Sequence, residues 1–136
     1  MGIKYCEAED IREKARKIID IFGWNHIDLE HVGFLRSVGS SSRGTIARCH
    51  ALSKPMQLGL GRTKGYYLIE VISERFDRMP EEEQIKTVIH ELMHIPKAFG
   101  GGFIHHNMVN ERTVRRVFEE YKKRTGEFEE KKGWFG

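Results

Sequence analysis

The residues whose types and spacing carry the most chemistry are His90-Glu91-Leu92-Met93-His94. In a helix, positions four apart share a face, so the imidazoles of His90 and His94 reach a single ion. Glu91 sits about 100° further round, close enough to take a proton from an attacking water without ligating the ion itself. Two neutral imidazoles holding a Lewis acid, with a carboxylate beside them, are what zinc-dependent hydrolysis requires. In a chain of this composition the pattern arises by chance about 0.04 times. The bland alternative is a helix with two surface histidines and a glutamate salt-bridged nearby.

Catalytic zinc (Zn2+) takes three protein ligands and keeps one position open, so a third ligand must come from outside the helix. His105 and His106 follow the glycines at 100–102, which read as a flexible loop able to fold the chain back over the active helix. Glu111 is the other candidate and would make a His-His-Glu site. A glutamate at a helix start also has a structural reason to exist, because it meets the positive end of the helix dipole. A metal-bound histidine needs a partner on its other ring nitrogen, and Glu70 and Asn110 are the candidates for that. His50, next to Cys49 in a strand, reads as structural, since neighbours in a strand point to opposite faces.

These groups need elements to position them. Apolar spacing predicts a helix over 8–22 stopped by Gly23, and a strand over 30–38 followed by a Gly/Ser-rich turn. Segments 45–52 and 56–60 read as one bent strand or two, broken at Pro55, and 66–74 is the clearest strand. Pro80 and three glutamates open the motif helix, Ile85, Val88, Ile89 and Leu92 give it an apolar face, and Pro96 ends it. A last helix is expected from about Asn107 to Arg124, with Val114, Val117, Phe118 and Tyr121 facing the core. The order predicts an α+β fold with a small antiparallel-rich sheet. An exposed edge strand beside the motif helix would pair with an extended peptide, and 66–72 or 56–60 is the expected edge.

A chain of 136 residues, 39% hydrophobic and 32% charged, fits one soluble globular domain with a real core. The expected division is a domain over 1–125 and a charged tail over 126–136, in which Trp134 and Phe135 suit docking. The net charge of +3 is mild and its charges are interspersed, so nucleic acid is permitted as a partner but not indicated. Cys6 and Cys49 lie far apart and read as reduced thiols, and no signal-like or membrane-spanning run is present. A cytoplasmic location is expected.

The stretch YYLIEVISERFDRM, then TVIHELMHIP, then FGGGFIHHNMVN and a terminal helix, resembles the small metallopeptidases of archaea and phages, which are distantly similar to SprT-like zinc peptidases. The resemblance covers about residues 44–124. It implies a minimal zincin-like fold, a zinc site completed by the histidine after the glycine loop, and hydrolysis of peptide or protein substrates. Residue-by-residue matching puts that histidine at His105. Members of this kind have a His-Gly pair there, whereas this chain has His105-His106, so His106 stays open as the ligand or as a group near the oxyanion. The competing reading is a metal-containing domain that binds a protein or nucleic-acid partner without proteolysis.

Overall fold

The structure, a computed structural model, describes residues 2–41, 43–62, 64–105 and 107–128. His106 and the tail residues Trp134 and Phe135 therefore lie outside the described residues.

The chain opens with strand β1 (Lys4–Glu7) and helix α1 (Glu9–Phe22). Glu9 and Asp10 lie in the first turn of α1, where negative charge suits the helix dipole, and Gly23 closes it in the left-handed region at φ 63°. A single 3-10 turn (Leu29–His31) leads into β2 (Val32–Val38), then β3 (Ala47–Ala51), helix α2 (Lys54–Gly59) and β4 (Tyr67–Ile72). Three helices complete the fold: the short α3 (Ser73–Phe76), α4 (Glu81–Met93) and α5 (Glu111–Thr125). The strands form one sheet in the order β1-β2-β4-β3. The central β2–β4 pair is parallel and the two outer pairs are antiparallel, so β1 and β3 are the edges. This is the expected α+β class.

The core lies between one face of the sheet and the helices. Val32, Phe34, Tyr67, Ile69 and Val71 project from the sheet to meet Ile11, Ala15 and Ile18 of α1, Ile85, Val88, Ile89 and Leu92 of α4, and Phe118 and Tyr121 of α5. Buried apolar surface is worth about 25 cal/mol per Å², so this shared interface is what holds α4 rigid against the sheet. Val117 is partly buried and packs at the margin of the same cluster.

Three local expectations are corrected. Segment 56–60 is not a strand, because most of it belongs to α2, which Ser53 caps by accepting from the Met56 N–H at 3.3 Å. Met56, Leu58 and Leu60 alternate as a strand would, but all three are exposed, and Gln57 is the buried residue of that helix. Segment 66–72 is likewise not an edge, since β4 is paired on both sides. The last helix starts later than Asn107: Asn110 and Thr113 form a reciprocal capping box, which fixes the start at Glu111.

The chain entering β4 packs closely against the loop that follows α4. Gly65, just before β4, lies so close to it that a Cβ there would run into the carbonyl oxygen of Phe99. Gly65→Ala is therefore expected to cost about 1–3 kcal/mol, the usual range for overpacking, and urea unfolding of the variant checks it.

Arg36 of β2 ties two elements together, donating to Asp10 of α1 and to Asp77 just after α3. Its guanidinium holds the Asp10 carboxyl below its ordinary value of 3.8. A depressed folded value means that the contribution is complete above about pH 4 and is lost as the pH falls through the folded value. The stability gap between wild type and Asp10→Asn should therefore be widest near neutrality and shrink on acidification, as denaturant titrations at several pH values would show.

Candidate metal centre

Helix α4 delivers the motif as its last turn. His94 follows the final assigned helical residue, yet its backbone keeps right-handed helical angles (φ −72°, ψ −16°), so the spacing from His90 to His94 is intact. Pro96 prevents the helix from running further. The two imidazole rings lie 5.0 Å apart between centroids. Ligand atoms of His90, Glu91 and His94 all lie within 4.8 Å of one another, and no other such His/Cys/Asp/Glu group occurs among the described residues. The Glu91 carboxylate is 4.0 Å from His90 Nε2. This donor set fits zinc: two borderline-soft imidazole nitrogens with a carboxylate alongside.

The orientation of His94 is set by the loop that follows. Its Nδ1 lies 2.5 Å from the carbonyl oxygen of Ile104, and the Ile104 N–H donates to the His94 carbonyl at 2.8 Å. A carbonyl can only accept, so Nδ1 carries the proton and Nε2 carries the lone pair available to an ion. Sequence reading missed this partner, and no signal could have revealed it, because every residue but proline offers the same backbone groups. The two side chains considered for the role are engaged elsewhere. Glu70 sits on the opposite face of the sheet, 2.8 Å from His50 Nε2, and Asn110 caps α5. His50 is thus paired with the buried Glu70 across β3 and β4.

Glu91 is only 7% exposed. Burial pushes its carboxyl up to about 7, and a cation held by the neighbouring histidines would act in the opposite direction. Cys49 projects from β3 toward the same side, and burial first, then the Glu91 charge, pushes its thiol up to about 12. It is therefore a neutral packing group rather than a thiolate. The small residues Ala47, Cys49 and Ala51 all pack on this inner face of β3, which lets the strand pass close over α4.

A cleft of about 530 Å³ opens over the site. Edge strand β3 forms one wall from Ala47 to His50, Glu91 and His94 form the floor, and Phe103, Ile104 and His105 form the other wall. His105 thus faces the cleft, but it lies outside the tight group made by the other three. It is exposed, and its carbonyl opens a turn by accepting from the N–H groups of Met108 and Val109. Glu111 points elsewhere, pairing with Arg115 at 3.1 Å, its side chain 88% exposed.

No helix among the described residues is long and apolar enough to cross a membrane. Comparison with known proteins finds a family model described as "Putative phage metallopeptidase", which matches residues 3–128 and so spans every element from β1 to α5. No curated protein and no solved structure matches the chain. A metallopeptidase family implies a bound metal ion and a peptide or protein substrate, in keeping with the His-Glu-His group on α4. With the family match covering nearly the whole fold, the chain belongs to this phage metallopeptidase family.

Proposed function

We propose that the chain is a zinc-dependent peptidase in which His90, His94 and His105 hold the ion and Glu91 is the general base. The observation that carries this reading is the convergence of the His90, Glu91 and His94 ligand atoms within 4.8 Å, with Glu91 and His94 lining an open cleft. His105 is the favoured third ligand because it faces that cleft, whereas Glu111 is committed to Arg115 outside it. When bound, zinc supplies a Lewis acid for the scissile carbonyl and the attacking water. Glu91 takes a proton from that water and hands it to the departing amine, while the Ile104 carbonyl keeps His94 in the ligating tautomer.

The free edge of β3 is the natural guide for a substrate. An extended peptide laid along it gains backbone hydrogen bonds and runs between the strand and the loop at 103–105, directly above Glu91. The walls supply few charged side chains, so recognition rests on backbone shape more than on one preferred residue.

Two outcomes test this. Glu91→Gln should lower kcat on an unstructured protein substrate by about 10²–10⁴-fold, the usual span for a general base, while metal content stays at the wild-type level. A variant that still cleaves at the wild-type rate would remove Glu91 from the mechanism. N-methylation of the substrate amides flanking the scissile bond should raise KM severalfold, because each methyl removes one strand-pairing donor. An unchanged KM would mean that β3 does not align the peptide.

A further inference from the structure

Between the end of α4 and His105 the chain runs through Phe99 and three glycines. Such a composition alone predicts slack, yet the peptide groups on either side of the Gly101–Gly102 link are tied by buried side chains of β4 and α2. Tyr67, on the inner face of β4, is fully buried. Its hydroxyl accepts from the Gly101 N–H at 3.0 Å and donates to the Gly102 carbonyl at 2.8 Å. A single hydroxyl thereby spans two successive residues and fixes how the backbone between them is turned. Gln57, the buried residue of α2, donates through Nε2 to the Leu52 carbonyl at 2.8 Å and reaches the Gly100 carbonyl at 3.4 Å.

The fit admits little else. Gly101 adopts φ +102°, and a Cβ there would come within 2.6 Å of Gln57 Nε2 and 2.9 Å of the Leu52 carbonyl. The Tyr67 ring packs against Phe99 at 4.9 Å and meets Phe103 edge-on at 6.3 Å. Phe103 in turn stands edge-on to His94 at 6.4 Å. The clamp therefore ends against the motif itself, immediately before the Ile104–His94 pair and His105.

We propose that the Tyr67 hydroxyl, assisted by the Gln57 amide, is a positioning device that sets where the glycine loop delivers His105 to the metal centre. The proposal rests on His105 being the third ligand. Neither Tyr67 nor Gln57 touches the ion or the substrate. Each acts only through the path of residues 99–104, and Gly101 supplies bare backbone at the point where the clamp is closest. Outer groups that hold a ligand in place typically change metal affinity 10- to 100-fold. A tyrosine that merely fills the core would change folding stability without discriminating among the ligands.

The test is a double-mutant cycle on zinc affinity, read by competition with a chromophoric chelator on the full chain. The four proteins are wild type, Tyr67→Phe, His105→Ala and the double variant, with melting temperature in excess EDTA recorded for each. Tyr67→Phe should weaken zinc binding about 10- to 100-fold in the wild-type background and have no further effect once His105 is gone. In the cobalt-loaded protein, its visible absorption should shift toward that of His105→Ala. Equal weakening in both backgrounds, or none in either, would overturn the proposal while leaving the third ligand in place. If His105→Ala binds zinc as tightly as wild type while His90→Ala does not bind it, the third-ligand reading itself fails and this proposal falls with it. Should Tyr67→Phe fail to fold, Gln57→Met takes its place in the same cycle with the same expected and overturning outcomes.

Discussion

The structure turns on the pair of hydrogen bonds between His94 and Ile104. One joins backbone to backbone at 2.8 Å, and the other joins the His94 ring to the Ile104 carbonyl at 2.5 Å. Together they close the chain back onto the end of α4 and decide which nitrogen of His94 can ligate. Either bond alone would leave a freedom: the ring could turn, or the loop could drift. The Ile104 carbonyl finds its donor in the ring, so the ring and the loop satisfy each other. The wall of the cleft opposite β3 is anchored to the end of α4 by this closure.

Such a closure works only if α4 is itself immobile. Its apolar stripe of Ile85, Val88, Ile89 and Leu92 lies fully within the core, and α1, α5 and the sheet pack around it. The stripe and the motif interleave on one helix. Glu91 precedes Leu92, so it is carried into the protein far enough to be 7% exposed while still reaching the cleft. The small residues of β3 complete the arrangement, because bulkier ones would lift the edge strand away from the helix.

Long-range chemistry was legible in the sequence because it depends on helical geometry, which four residues of spacing encode. The motif, its helix and the α+β class were all readable for that reason, and the core faces of α4 and α5 were read nearly residue for residue. Strand β1 was not readable, because its four residues are all exposed and show no alternation between a buried and a solvent face. Helix α2 was misread because Met56, Leu58 and Leu60 alternate in the sequence while facing solvent. Periodicity reports a core only when the periodic residues are the ones that face it. The contacts of the glycine loop were hidden for a different reason. Glycine signals either slack or a close approach, and only the placement of Gln57 against Gly101 and of Gly65 against Phe99 shows the second at those two positions.

The most direct test of the account is metal content, measured by elemental analysis on the purified chain after zinc reconstitution and removal of loosely held ions. About one zinc per chain is expected for the wild type, with loss in His90→Ala and His94→Ala and marked weakening in His105→Ala. A chain that holds no zinc, or that holds it equally well without His90 and His94, would contradict the central claim that the last turn of α4 is a metal centre.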